Sequence, residues 1–168
     1  GVRIQYLVEK KSKGTAGPLA QFRDNFKIGK DESILLMNGD ILTKLNFSKM
    51  IAFHKANNFE ITVGIKKIKE QNSYGFVEVE NNLVKKIIEK PSFSNIVNSG
   101  IYVIKSNVIK EVPRNRFFTM PDLINRLVSK KRRVGVYNIK EYWLGLEDLQ
   151  HFEDIYNNKQ IMQTLTKD

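Results

Sequence analysis

Asn38-Gly39-Asp40 follows directly on the apolar run Ile34-Leu35-Leu36-Met37. A short buried strand ending in Gly-Asp sets a carboxylate at the strand's carboxyl end, where open α/β sheets bind their ligands. A carboxylate there can hold a hard cation such as Mg²⁺ against a phosphate. The same three residues are common turn formers, so taken alone they admit a plain turn equally well. Three further polar clusters fall at the ends of strand-like runs. Lys13-Gly14-Thr15-Ala16-Gly17 carries two glycines that let a backbone approach a flat or anionic ligand. It lacks the Lys-Ser/Thr ending of a P-loop and reads equally as a flexible loop ahead of a helix. Tyr74-Gly75 offers an aromatic hydroxyl and an exposed amide to a sugar, or simply enters a strand. Glu89-Lys90-Pro91 puts an acceptor for hydroxyls beside a donor for phosphate, with Asn98-Ser99-Gly100 shortly after it. Two exposed charges ahead of a Pro turn are the commoner fate of such a pair.

The elements that must carry these clusters alternate in type. Residues 4–8 read as a strand, residues 10–17 as a loop, and Pro18 suits the first turn of a helix running towards Arg23. Residues 33–37 form the buried strand before Asn38. Phe47, Met50, Ile51 and His54 share one helical face, with Asn46 as N-cap. Ile61, Val63 and Ile65 alternate with polar residues as a strand does. Val77 and Val79 do the same, and Asn81-Asn82 is a hairpin turn into residues 83–88. A β-prone run covers residues 101–104. Leu123, Ile124, Leu127 and Val128 make a helical stripe opened by Pro121 and Asp122, and residues 134–139 are strand-like. Leu146, Leu149, Phe152, Ile155 and Tyr156 give a closing amphipathic helix with Glu147 and Asp148 in its first turn. The expected fold is α/β: a Rossmann-like mixed, mainly parallel sheet with flanking helices and a β-hairpin insertion.

Bulk properties narrow the chemistry. At 168 residues, 41% hydrophobic and 27% charged, the chain has the make-up of one ordinary domain or most of one. It has no cysteine, which excludes disulfides and thiolate metal sites. His54 and His151 lie too far apart in sequence for ligand spacing, so neither a His-based zinc site nor a triad is expected. No apolar window approaches the length of a membrane span, which fits a cytoplasmic protein without a membrane partner. The net charge of +10 invites a nucleic-acid reading, but the Lys and Arg are spread over the whole chain. The one tight cluster, Lys130-Lys131-Arg132-Arg133, sits at a helix end where cations complement the dipole, and no aromatic platform interleaves it. A basic nucleic-acid-binding domain is thus the weaker rival, and a negatively charged small substrate suits the charge as well. The chain opens with Gly1-Val2-Arg3 inside an apolar alternation, as a piece of something longer would.

Read in order, Gly-Thr-Ala-Gly, Asn-Gly-Asp, Tyr-Gly-Phe-Val-Glu, Glu-Lys-Pro, Asn-Ser-Gly-Ile-Tyr and Tyr-Trp form a series. That series resembles the sugar-1-phosphate nucleotidyltransferases, which include mannose-1-phosphate guanylyltransferases and glucose-1-phosphate thymidylyltransferases. The likeness runs from about Val2 to about Tyr156. The stretches at residues 118–123 and 140–143 look most like bacterial guanylyltransferase-type enzymes serving surface-glycan pathways. The resemblance implies that Gly14 lies against the nucleotide base and that Asp40 binds catalytic Mg²⁺. It also implies that Tyr74 and Gly75 lie near the sugar, and that Asn98 is a further sugar-pocket position. Glu89 and Lys90 would contact sugar hydroxyls and the sugar phosphate, with Lys90 the catalytic cation. The implied reaction is attack by a sugar-1-phosphate oxygen on the α-phosphorus of a nucleoside triphosphate, releasing pyrophosphate.

Two departures qualify this expectation. The family's glycine-rich loop, of the form Gly-x-Gly-Thr-Arg-Leu followed by Pro-Lys, has no counterpart between Gly1 and Asp168, and its charges supply most of the stabilisation at the α-phosphate. Where the family reads Trp-x-Asp-Ile-Gly, this chain reads Trp143-Leu144-Gly145-Leu146-Glu147, with Gly145 in place of the second metal carboxylate or a short deletion that removes it, and Asp148 lying beyond. Residues 1–168 are therefore expected to form a partial nucleotidyltransferase domain with little activity alone. It would self-associate or take a partner chain that covers the missing segment. The rival within the same fold is a non-catalytic binding or regulatory relative.

Overall fold

Strand β6 (Ser92–Lys105) lies in the middle of the molecule and decides its topology. In the computed structural model, which describes residues 1–30, 32–71, 73–146, 153 and 156–157, β6 pairs antiparallel with β1 (Ser33–Met37) on one side and with β3 (Ile61–Gln71) on the other. Strand β7 (Val134–Asn138) then joins β3 in parallel, giving the order β1-β6-β3-β7. The expected α/β fold with a mixed sheet and a hairpin is present. The balance of pairings differs from a mainly parallel sheet. β1, β3 and β7 all run one way, but β6 returns from the hairpin and lies between two of them. Only the β3–β7 pairing remains parallel. The hairpin itself, β4 (Phe76–Glu80) with β5 (Leu83–Ile88), turns at Asn81-Asn82 as expected, both with the positive φ such a turn requires.

Alternation along β6 divides the core. Tyr102 and Ile104 face one layer with Ile61 and Val63, where α1 (Gly17–Asn25), the 3₁₀ helix Ser106–Glu111 and α3 (Met120–Ser129) pack. Ile101 and Val103 face the other, against Met50 of α2 (Phe47–Ala56) and Ile41 of the short strand β2 (Ile41–Thr43). The helices start where their chemistry directs. Pro18 stands in the first turn of α1, and Asn46 caps α2 by accepting from the Lys49 amide at 2.9 Å. Thr119 and Asp122 form a reciprocal capping box at α3. α2 buries Met50 and His54, two positions of the expected face.

Residues 4–8 correct an expectation: they form no strand. Val2, Ile4, Tyr6 and Val8 keep the alternation of one but remain exposed, Tyr6 at 83% and Val8 at 79%. Alternation makes a strand only when a neighbour accepts its backbone hydrogen bonds, and no described strand lies beside this segment. The run at 101–104 is in turn the end of a fourteen-residue strand. Of the closing helix, residues 147–152 and 154–155 lie outside the described residues. No described helix is long and apolar enough to cross a membrane.

Candidate functional site

The carboxyl ends of β1 and β7 lie together beside the middle of β3, since Met37 pairs with Ile101 and Ile65 pairs with both Asn98 and Asn138. There β6 bulges. Val63 is opposite Tyr102 while Ile65 is opposite Asn98, so β6 carries extra residues across Gly64. Gly100, at φ +70°, makes the bulge possible, and a side chain on it would strike Ile41 at 2.8 Å and Asn38 at 2.9 Å. Asn98 stitches the bulge from within: its carbonyl accepts from the Gly100 amide at 3.1 Å and its amide donates to the Tyr102 hydroxyl at 2.7 Å. Burial raises the Tyr102 pKa, partly offset by that Asn98 hydrogen bond.

The Asn38-Gly39-Asp40 turn rests on this bulge, the Asn38 amide donating to the Gly100 carbonyl at 3.0 Å. Asp40 then leads into β2, which pairs antiparallel with β8 (Trp143–Gly145), Ile41 lying opposite Gly145. The Leu146 amide donates to the Asp40 carbonyl at 2.7 Å. Gly145, the position at which the resemblance to the family sets a second carboxylate, therefore adjoins Asp40 in space. Trp143 ties the same end down, its indole N–H donating to the Ser99 carbonyl at 2.9 Å. Among the described residues no group of three or more acidic, His or Cys side chains could hold a metal. Asp40 supplies one exposed carboxylate.

Gly14 lies in the loop before α1. That 13–17 loop docks on the amino end of α3: the amides of Ala16 and Gly17 each donate to the Phe118 carbonyl at 3.0 Å, and the Met120 amide donates to Thr15 Oγ1 at 2.8 Å. Gly14 has φ +81°, and a side chain on it would lie 2.7 Å from the Phe118 carbonyl oxygen. Close backbone approach thus requires glycine here.

Tyr74, Gly75, Glu89 and Lys90 form a second group at the open end of the hairpin, where Phe76 pairs with Ile88. The Glu89 carboxylate lies against Gly75, 3.3 Å from where a side chain would begin. Lys90 holds φ +42° immediately before Pro91, a strained backbone, and its side chain is exposed. Between this group and Asn98 runs the outer β3–β6 ribbon, from Gln71 opposite Ser92 to Ile65 opposite Asn98. That is roughly 20 Å along the strands. The structure thus brings Asp40 and Asn98 together at the bulge, sets Gly14 against Phe118 at the amino end of α3, and groups Tyr74, Gly75, Glu89 and Lys90 at the hairpin.

Sequence reasoning passed over two residues here. Lys66 Nζ donates to the Glu141 carbonyl at 2.7 Å, holding the loop before Trp143, and its parity with Thr62 and Gly64 was the available signal. Ser99 has a buried hydroxyl without a partner among the described residues, wedged where a side chain on Gly64 would stand. Nothing local in Asn-Ser-Gly marks it.

The nucleotidyl transferase family model matches residues 1–163. A probable mannose-1-phosphate guanylyltransferase 2 of Oryza sativa subsp. japonica is 34% identical over 150 residues, covering 87% of this chain and 41% of the relative. The mannose-1-phosphate guanyltransferase of Schizosaccharomyces pombe is 32% identical over 151 residues, covering 86% and 41%. The chain thus spans about two fifths of the length of the curated relatives it matches. Among solved structures, a putative glucose-1-phosphate thymidylyltransferase from Bacillus anthracis in complex with a sucrose superposes with a TM-score of 0.65 at 18% identity, over 98% of this chain and 66% of that one. HddC from Yersinia pseudotuberculosis complexed with GMP-PN gives a TM-score of 0.59 at 16% identity, over 88% and 63%. Those structural likenesses concern the fold, whereas the family model and the curated relatives reach the sequence itself. With nearly its whole length matched, the chain belongs to the nucleotidyl transferase family.

Proposed function

We propose that residues 1–168 are a partial sugar-1-phosphate nucleotidyltransferase domain, guanylyltransferase-like and serving surface-glycan biosynthesis in the cytoplasm. The reaction joins a sugar-1-phosphate to the nucleotidyl group of a nucleoside triphosphate and releases pyrophosphate. The observation that carries this reading is Asp40 at the carboxyl end of β1, braced by the Gly100 bulge and adjoining Gly145 across the β2–β8 pairing.

The roles are those that the resemblance implies for these positions. Asp40 would hold Mg²⁺, which needs few protein carboxylates because phosphate oxygens and waters complete its shell. When bound, the cation neutralises charge on the phosphate oxygens. Gly14 presents a close-packed backbone to the base. Glu89 accepts from sugar hydroxyls, Lys90 donates to the sugar phosphate, and Tyr74 and Gly75 flank them. Asn98, which braces the bulge, would be a further sugar-side position. The exposed row Val2, Ile4, Tyr6 and Val8 would be covered by a further segment of the family fold, by a partner chain or by self-association.

A second reading has its own support. Gly145 beside Asp40 removes one of two carboxylates and favours a relative that binds sugar phosphate or nucleotide without turning it over. Calorimetry with mannose-1-phosphate, GDP-mannose and GTP, with Mn²⁺ present, tests the binding both readings share, and pyrophosphate release separates them. Sugar phosphate or nucleotide sugar is expected to bind weakly and GTP more weakly still. Lys90→Ala should weaken sugar-phosphate binding more than Lys131→Ala, and Asp40→Ala should abolish Mn²⁺ binding. Tight GTP binding without sugar-phosphate binding, or metal binding unchanged in Asp40→Ala, would overturn the assignment.

A further inference from the structure

The far end of the central sheet, where Ser33 of β1 pairs with Lys105 of β6, holds a depression of about 460 Å³. It lies the length of β1 away from Asp40, roughly 15 Å. Three cations from three separate segments line it: Arg23 of α1, Lys30 of the loop before β1, and Lys110 of the 3₁₀ helix. No carboxylate is among its described lining residues, although the Glu32 carboxylate lies against Gly29, 2.9 Å from where a side chain would begin, and Arg23 Nε pairs with Asp24 at 3.4 Å. Neither the Lys30 nor the Lys110 ammonium has an ion-pair partner among those residues, although like charges gathered in one concavity repel.

The walls are tied together. The Ser106 hydroxyl lies 2.7 Å from the Gly29 carbonyl and 2.8 Å from the Lys30 carbonyl, donating to one or the other, and the Ser106 amide donates to Glu32 O at 2.9 Å. Arg23 Nη1 donates to the Ile109 carbonyl at 3.0 Å, fastening α1 to the 3₁₀ helix. Phe26, its ring tilted 35° against that of Phe22 with centroids 4.9 Å apart, and Ile28 add an apolar wall. A concavity that is apolar on one side and carries cations on fixed segments is complementary to a particular class of ligand.

We propose that this depression is a second small-molecule site, which takes an organic phosphate: a phosphoryl group among Lys30, Lys110 and Arg23, with a flat or apolar group against Phe26 and Ile28. It is separate from the sugar-nucleotide site and does not depend on that assignment. The test is amide NMR with 1-naphthyl phosphate, inorganic phosphate and 1-naphthol as probes. Naphthyl phosphate should shift Gly29, Ser106 and Asn107 saturably in the millimolar range or below, with each half-probe at least fivefold weaker. Lys30→Ala/Lys110→Ala should weaken it at least tenfold, and Lys110→Gln alone about threefold. Lys131→Ala should stay within twofold of wild type. Shifts that never saturate, shifts confined to residues 38–40 and 89–90, or equal affinity in Lys110→Gln and wild type would overturn the proposal.

Discussion

The Asp40 end of the sheet and the hairpin that bears Lys90 carry comparable numbers of candidate residues but are built on different terms. Asn38, Asp40, Asn98 and Trp143 each sit in a web of hydrogen bonds to other segments, above the buried Ile101 and Val103. Every residue of β4 is exposed, and of β5 only Ile88 is partly covered. The first region is therefore held by tertiary packing, the second by a local turn and a strained lysine. The position of Asp40 should resist change until the fold itself fails, whereas the hairpin should adapt to what it binds.

The largest test is pH. His54 on α2 is fully buried beneath the same sheet, its Nδ1 2.8 Å from Thr62 Oγ1 and its Nε2 without a partner among the described residues. Burial, then the charges of Lys105 and Lys55, lower its pKa to about 4. The unfolded chain thus binds this proton more readily than the folded one. The resulting stability is complete above about pH 6.5, falls as pH drops towards 4, and levels below that. The loss across the window is on the order of 3 kcal/mol. Urea melts from pH 7.5 to 4, read beside the His54 ring resonance, should show it, and a ring titrating near 6.5 in the folded protein would refute it. Asp24, held low by its hydrogen bond to Arg114, and Glu111, held low by Lys130, add losses only further down, as pH falls through their depressed values.

Next comes the bulge. Gly64→Ala places a methyl 2.5 Å from Ser99 Oγ and 3.0 Å from the Ile101 carbonyl. It should cost about 2 kcal/mol by chemical denaturation, since backbone must move as well as the hydroxyl. Lys90→Gly should do the opposite on the hairpin. It relieves the φ +42° backbone and should leave the protein level or up to about 1 kcal/mol more stable, while sugar-phosphate binding falls with the lost ammonium. The smallest effect is expected for Leu83→Ala, 72% exposed at the hairpin tip, within about 0.5 kcal/mol. A loss above 2 kcal/mol there would mean the hairpin is packed and the contrast between the regions is false.

Much of the local backbone was legible because short motifs fix it. Asn81-Asn82 turned the hairpin, Asn46 and Pro18 opened helices, and Gly-Asp ended β1, as residue types alone required. Residues 4–8 show the limit. Their alternation is real, yet a strand needs a neighbour, and that information is not local. The short strands β2 and β8 were missed for a similar reason: three residues carry too little pattern, and only their pairing makes them strands.

By itself the sequence determined the family, the mixed α/β class and the residue types at each candidate position, because periodicity, turn chemistry and motif order are properties of short segments. The tertiary structure decided that β6 returns between β1 and β3, which turns two of the sheet's three pairings antiparallel. It decided that Gly145 adjoins Asp40, and that Asn98 holds a bulge. It also placed the basic depression at the far end of the sheet. Each of these depends on contacts between residues distant in the chain, whose register is set by burying Ile101–Ile104 on both faces of one sheet rather than by any local preference.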